Sequence, residues 1–341
     1  MRAVPRMFSW PAGVDRVGDE DWTTLPLDVS GLAYDNVAEH GWYCNLDPTV
    51  EAVARHVRPG DLVLDYSGGT GIFVDRLKGA LDSREGSIGA VIADSSPKFL
   101  RVALERFRHD PAVALRLLRW LPGERRLQRL DEALPAALLR RRFDAVTSTN
   151  AIHLYPDPAS VAAGWAAVLR PGGKVFVNSG NIRNPRAGAE EWILDETVAA
   201  IAERAQGLVA SDPAWAHLRP LLADGRRMGA HAAFRQRVFL APRPLDFYVD
   251  ALSEGGLVVE SVDEASITAD VAEWFDFLGA YHDAVLGWVG GTERIDGRAP
   301  EPAGVDERLR LMGEAMGTLF GPERQFRVCW TYLTCALPAG G

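Results

Sequence analysis

The sequence has little of several things that would narrow its chemistry. Cysteine occurs three times in 341 residues, as Cys44, Cys329 and Cys335. That is too sparse and scattered for a disulfide framework or a thiolate zinc site. Lysine occurs only at 78, 98 and 174, which leaves few candidates for Schiff-base chemistry; the abundant arginine fits a GC-rich coding sequence. Positive charge is not in excess: 37 Lys and Arg stand against 46 Asp and Glu, for a net charge of -9 and a pI near 5.4. The acids are spread along the chain, and the arginine-rich runs RLLRWLPGERRLQRL and LLRRRF are interleaved with acids and leucines. A nucleic acid or an anionic membrane surface is therefore not expected as a partner. No run approaches the ~20 apolar residues of a membrane span, and MRAVPRMFSWPAG holds no apolar core of signal-peptide length, so the expected location is the cytoplasm. There is no HExxH, no paired CxxC and no acid-rich loop, so no metal is expected. With 47% hydrophobic residues the chain can bury a large core, and a small molecule is the partner this composition suits. A homodimer is left open.

Strand-like and helix-like runs alternate from about residue 50 to 180. DLVLDY (61–66), GAVIAD (89–94), AVALRLLRW (112–120), FDAVTST (143–149) and KVFVNSG (174–180) read as short buried strands, with helices between them at 47–57, after the glycines of 68–71, at SSPKFLRVALERFRH and at PASVAAGWAAVL. Parallel strands joined by helices, both faces covered, form a doubly wound α/β fold. From 181 the pattern becomes helical, with WILDETVAAIAERAQGLV its clearest run. It returns to the alternation at PLDFYVDALSEGG and the strand LVVESV (257–262). A second helical stretch holds EWFDFLGAYHDAVLGW and DERLRLMGEAMGTLF, and the alternating FRVCWTYLTCAL closes the chain as an antiparallel strand. The expected organisation is a lead-in over 1–44, a ligand-binding core over 45–180, helical insertions over 181–240 and 263–324, a return to the core at 241–262, and a last strand within 325–341.

VLDYSGGTGIF, residues 63–73, places three glycines between a buried strand and a helix. A bare backbone there lets a ligand approach closely. The glycine spacing does not match the G-x-G-x-x-G of dinucleotide enzymes, which argues against a nicotinamide-dependent oxidoreductase. Asp65 ends the first strand, where it could accept from a ligand's ammonium or a water. Asp94 ends the second, placed to accept from both hydroxyls of a ribose. Two acids suit a cationic amino-acid nucleoside better than a pyrophosphate.

With these residues the sequence resembles the class I S-adenosylmethionine-dependent methyltransferases. VLDYSGGTG resembles their glycine motif, VIADSSPKFL their acidic motif, FDAVTSTNAIHLYPDP the fourth strand and its loop, and VLRPGGKVFV the segment leading into the fifth. The resemblance implies a seven-stranded, mostly parallel sheet with S-adenosylmethionine over the carboxyl ends of its strands. It implies that Asp65, Gly69 and Gly71 face the methionine part, Asp94 the ribose, and Asn150 and Ala151 the sulfonium, with Ser67 and Ser95 beside them. Two departures stand out: Ser67 occupies the family's first glycine position, and no acid and small residue follow the third strand to meet the adenine amine. Trp120 could stack on the adenine or belong to the core.

Methyl transfer asks for alignment, exclusion of water and a base where the acceptor holds a proton. His153 and Tyr155 lie on the loop after the fourth strand, and His153 has a suitable intrinsic pKa. His282 is the second candidate base, on an aromatic run in which a helical reading gathers Trp274, Phe277, Tyr281 and Leu286 on one face and offsets Phe275 and His282; that run could be lid lining or core. Trp192, Glu190, Glu191, Trp215, His217 and His231 in the first insertion have no spacing that singles them out. Tyr34, Trp42 and Tyr43 in the aromatic lead-in could close over the cofactor, Tyr34 foremost, or simply pack. The expected function is methyl transfer to a small apolar or aromatic metabolite, in the biosynthesis of a specialised compound. The alternative is a fold that binds the cofactor without transferring its methyl group.

Overall fold

The computed structural model describes residues 8–18, 21–81 and 87–338. The first residues of the expected lead-in and residues 339–341 of the expected last segment lie outside the described residues. Seven strands build the central sheet: β1 Leu62–Tyr66, β2 Gly89–Asp94, β3 Val113–Leu117, β4 Phe143–Thr149, β5 Leu169–Ser179, β6 Val258–Asp270 and β7 Gln325–Ala336. Their spatial order is β3-β2-β1-β4-β5-β7-β6, with β1 to β5 parallel and β7 antiparallel to both β5 and β6. The two-residue strand Glu191–Trp192 adds an eighth along β7. The doubly wound, mostly parallel architecture read from the sequence is the one observed.

Every residue of β1, β2 and β3 is buried, as strands covered on both faces must be. The strand period of two sorts their side chains into two apolar layers: Val63 and Ile92 join Phe73 and Leu77 on one face, and Leu62, Leu64 and Val91 join Phe143 and Trp165 on the other. The helices that follow strands start on local caps. Ser96 accepts from the Phe99 amide with Pro97 in the first turn, and Asp157 accepts from the Ser160 amide with Pro158 behind it.

β3 stops at Leu117 rather than reaching Trp120, and three further boundaries differ from the sequence reading. β6 continues past Val262 to Asp270 because β7 supplies a partner for it down to Asp270↔Gln325. β5 takes in the RPGG turn as an irregularity, its pairing with β4 jumping from Phe143↔Leu169 to Ala145↔Lys174. The aromatic run is two helices, Val271–Gly279 and His282–Leu286, broken at Ala280 and Tyr281. The two insertions pack on each other: the helix Leu194–Ser211 lies along Pro302–Phe320, and the Trp274 indole donates to Thr197 Oγ1 at 3.1 Å. Among the described residues no helix is long and apolar enough to cross a membrane.

Candidate active site

β1 pairs with β2 on one side and β4 on the other, so the chain leaves their carboxyl ends in opposite directions and a crevice opens there. The turn after β1 begins at Ser67, whose φ of +59° is a left-handed conformation unusual for a side-chain-bearing residue. Its amide donates to the Ala93 carbonyl at 2.7 Å, and its Oγ accepts from the Tyr155 hydroxyl at 3.0 Å. Tyr155 in turn meets Ser148 Oγ at 2.8 Å. The side chain that replaces a glycine is thus held from the loop after β4. Gly68 is required by contact, since a Cβ there would sit 2.5 Å from Asp65 Oδ2.

Asp94 closes the turn from β2, accepting the Gly69 amide on Oδ2 at 2.9 Å and the Ser96 amide on Oδ1 at 2.7 Å. Burial pushes its pKa up against the pull of those amides. Asp65 lies fully buried beneath the turn, with Oδ1 accepting from Thr147 Oγ1 at 2.8 Å and Oδ2 without a partner. Burial raises its pKa to about 7. Asn150 follows the last residue of β4 with a φ of +54°. Its amide donates to the Asn178 carbonyl, its Nδ2 to Asn45 Oδ1 at 3.1 Å, and its Oδ1 accepts from the Trp330 indole at 3.0 Å.

Ser67, Asp94, Asn150 and Tyr155 meet in one cavity of about 420 Å³, a volume in the range of small-molecule sites, whereas Asp65 lies beneath the turn and off its lining. One end is lined by Ser67, Gly69, Asp94, Ser95, Leu118 and Leu127. The other is walled by Trp42, Phe239, Trp274, Phe277, Tyr281 and Trp330. Asn150 and Ala151 lie on the wall as well, and Tyr34, its ring stacked on Phe99 at 4.7 Å, lines the turn end.

The structure separates the other sequence candidates. Gly71 does not face the cavity: its missing Cβ is the space filled by Phe107, 2.5 Å from where that atom would be. Trp120 is 57% exposed on a two-stranded ribbon with Leu127 and is absent from the lining, so the adenine stack is withdrawn. His282 also lies off the lining, its Nδ1 accepting from Arg308 at 2.6 Å, at the start of the short helix that follows the break. Of the first insertion's candidates, Trp215 donates to Glu314, His217 pairs with Glu307 and His231 accepts from the Gly287 amide, all away from the cavity. Glu191 and Trp192 are spent on the short strand along β7.

His153 does line the cavity, but its ring is committed. The Asp195 amide donates to Asn181 Oδ1 at 2.7 Å, which turns the Asn181 Nδ2 toward His153 Nε2 at 3.1 Å. The network therefore places the imidazole proton on Nδ1, facing Ser179 Oγ at 3.0 Å. Burial lowers the His153 pKa to about 4, so the ring is neutral at pH 7 with its one lone pair occupied. Tyr155 is bound on both sides and burial drives its pKa well above the ordinary phenol value. Neither is free to take a proton. The sequence reading passed over Asn181, Asp195, Phe239 and Trp330, all on the cavity wall; the acid inside WILDETV was the one local signal.

A bound S-adenosylmethionine can be tested against these residues. The open backbone at Gly69, whose Cβ position touches only Tyr34 at 3.7 Å, fits a ligand lying directly against the turn, above the partnerless buried atom Asp65 Oδ2. Asp94 keeps lone pairs for ribose hydroxyls.

A family described as a methyltransferase domain matches residues 64–175. The ubiquinone biosynthesis O-methyltransferase of Azotobacter vinelandii is 35% identical over 140 residues, 40% of this chain and 52% of that protein. The enzyme of the same description from Albidiferax ferrireducens is 28% identical over 178 residues, 48% of this chain and 63% of that one. The chain thus spans about half the length of the curated relatives it matches. Among solved structures, phosphoethanolamine N-methyltransferase 2 of Haemonchus contortus in complex with S-adenosyl-L-methionine gives a TM-score of 0.46 at 14% identity, covering 90% of this chain and 56% of that one, a likeness too low to bear on function. The matched segment contains the turn, both acids and β4 in the order the sheet displays, so over residues 64–175 the chain is similar to a methyltransferase domain.

Proposed function

We propose that the chain transfers the methyl group of S-adenosylmethionine to a small, flat apolar or aromatic metabolite held under its helical insertions. The observation that carries this reading is the continuity of one cavity from the Ser67–Gly69 turn and Asp94 to the wall of Trp42, Trp274, Phe277 and Trp330. When bound, the cofactor supplies an electrophilic methyl group on a sulfonium. Ser67, Gly69 and Asp94 would hold it, with Asp65 answering its ammonium through the turn. The chain's own work is then alignment and dryness. Trp42 sets its edge against Trp274 and Phe277, at centroid distances of 5.8 Å in both cases, and Trp274 stacks on Phe277 at 5.0 Å. Such mutually packed rings present a fixed apolar wall. The curated relatives act in ubiquinone biosynthesis by O-methylation, which supports an oxygen acceptor. The insertions that wall the acceptor end lie outside the matched domain, which supports an acceptor of this chain's own, in the synthesis of a specialised compound.

The test is isothermal titration with S-adenosylmethionine and S-adenosylhomocysteine on the parent and on Asp94→Asn. Removing a charged acceptor should weaken binding by about 10- to 150-fold. No heat with the parent protein would end the reading, and binding without turnover on any aromatic acceptor would favour a cofactor-binding module instead.

A further inference from the structure

The acceptor end of the cavity holds one carboxyl group, and no cation is paired with it among the described residues. Asp195 stands in the first turn of Leu194–Ser211 and lines the cavity together with Leu194, Asn181 and His153. An acid in a first turn ordinarily answers the helix N-terminus, yet this helix has no side-chain cap and Asp195 accepts from none of its own amides. No ion pair holds it among the described residues: Arg183 pairs with Glu196 at 2.6 Å, and the Arg243 guanidinium lies over the Phe247 ring at 4.6 Å. The other groups that face it are the Asn181 carboxamide, the neutral His153 behind that amide, and Tyr248 on the helix Leu245–Glu254, whose own pKa is held up near 12 by burial and in part by the Asp195 charge. A carboxylate on a cavity wall with no cation opposite it has an unmet demand for a proton, and the ligand is what can meet it.

We propose that Asp195 is the general base of methyl transfer and that the acceptor is an aromatic hydroxyl compound whose O–H points at this carboxylate while its ring lies against the tryptophan wall. The inference rests on the methyl-transfer reading given above. As the acceptor oxygen uses a lone pair to take the methyl group, its O–H bond breaks and the proton passes to Asp195; the electron pair of the broken carbon–sulfur bond stays on the sulfur of the donor, and the carboxyl later releases the proton to water. The group is tuned for this. Burial lifts its pKa to about 7 while the Asn181 amide pulls the other way, so it is largely ionised just above neutrality and still basic enough to be useful. Asn181 is a positioning residue: its Oδ1 anchors the Asp195 amide and its Nδ2 is steadied by His153 Nε2. His153 then serves as a neutral acceptor that fixes the amide, which accounts for a histidine kept below its ordinary pKa at the site.

The probe is 4-nitrophenol, whose phenolate absorbance reports its ionisation, titrated with pH into protein saturated with S-adenosylhomocysteine. An adjacent carboxylate opposes a second negative charge, so the parent should raise the apparent pKa of bound 4-nitrophenol by a unit or more, and Asp195→Asn should remove that rise while keeping its affinity for S-adenosylhomocysteine. In turnover with the unactivated 4-methylphenol, which stays protonated near neutrality, Asp195→Asn should lower kcat by about 10²- to 10⁴-fold with little change in KM. Asn181→Ala should move the rising arm of the pH profile to higher pH, since its amide lowers the Asp195 pKa. Equal 4-nitrophenol pKa values in parent and Asp195→Asn would overturn the assignment while leaving the methyltransferase reading intact. A parent that binds S-adenosylhomocysteine but not 4-nitrophenol, or that binds benzyltrimethylammonium more tightly than Asp195→Asn does while ignoring the phenol, would overturn the acceptor class. Failure to bind S-adenosylhomocysteine at all would strike the underlying reading instead.

Discussion

Gly71 separates two explanations of the glycine turn. The family resemblance assigns it to the cofactor, whereas the packing assigns it to Phe107. A Cβ at Gly71 would lie 2.5 Å from Phe107 Cε2 and 3.0 Å from Ile92 Cδ1, and its φ is +83°. Gly71→Ala therefore incurs two costs. The left-handed backbone costs about 1–2 kcal/mol for a residue with a Cβ, and forcing a methyl group into a filled space costs about 1–3 kcal/mol. Together they come to about 2–5 kcal/mol, a large part of the ~5–15 kcal/mol that holds a typical protein folded. Urea unfolding followed by the fluorescence of the ten tryptophans should show this loss, while affinity for S-adenosylhomocysteine under native conditions stays within about twofold. Phe107 is itself buried, at 4% exposure, so Phe107→Leu is destabilising alone. In the double variant the steric part should be relieved, giving a coupling energy of about 1–3 kcal/mol in favour of the pair, with the backbone part left uncorrected. An unchanged unfolding midpoint combined with a sharp loss of S-adenosylhomocysteine binding would refute the packing argument and return Gly71 to the cofactor.

Two further outcomes follow from the site. Asp65 has a folded-state pKa of about 7 against an ordinary 3.8; the folded chain keeps this proton where the unfolded chain has released it, so the group's contribution to stability falls as pH rises from about 4 to 7, by about 4 kcal/mol at most. Asp65→Asn should lose that pH dependence, read as the difference in urea midpoints between pH 5 and pH 8 in the unliganded protein, and an identical profile in parent and variant would refute it. Trp120→Ala should change neither S-adenosylhomocysteine affinity nor stability by more than about 0.5 kcal/mol, because the ring is more than half exposed on its ribbon; a tenfold loss of affinity by titration calorimetry would put the adenine stack back.

Much of the cofactor end is local in the sequence, and that part was legible. Apolar runs such as LVLDY and AVIAD must be strands buried on both faces, and an acid closing such a run, as Asp94 does, lands at the carboxyl edge of the sheet. Which way a side chain points is decided by its neighbours in space. The spacing of residues 68–71 asks for glycine but cannot tell a ligand from Phe107 as the reason. Trp120 continues an apolar run that ends in fact with β3 at Leu117, and its ring faces outward on a ribbon that sequence periodicity does not mark. His282 was already offset from the aromatic face by its helical spacing, and nothing local in the sequence marks its partner Arg308, 26 residues further on. Asp195 was hidden by the commonest explanation for an acid in its position, that of a helix start.

The acceptor end was illegible for a different reason: it is assembled from segments with no common spacing. Trp42 comes from the lead-in, Asn181 from the end of β5, Asp195 and Phe277 from separate insertions, and Trp330 from the last strand. What binds them to the cofactor end is Asn150. Its left-handed backbone lets one side chain donate to Asn45 beside Trp42 and accept from Trp330, while its amide is held by Asn178 of β5. Trp330 in turn lies so close to Gly180 that a Cβ there would be 2.9 Å from its ring. The acceptor wall and the loop that flanks the cofactor are therefore one hydrogen-bonded unit. A chain of this fold can exchange its insertions for a new acceptor only if the replacement wall still satisfies the carboxamide at this position, because an Asn150 left unpartnered would lose the reason for its strained backbone.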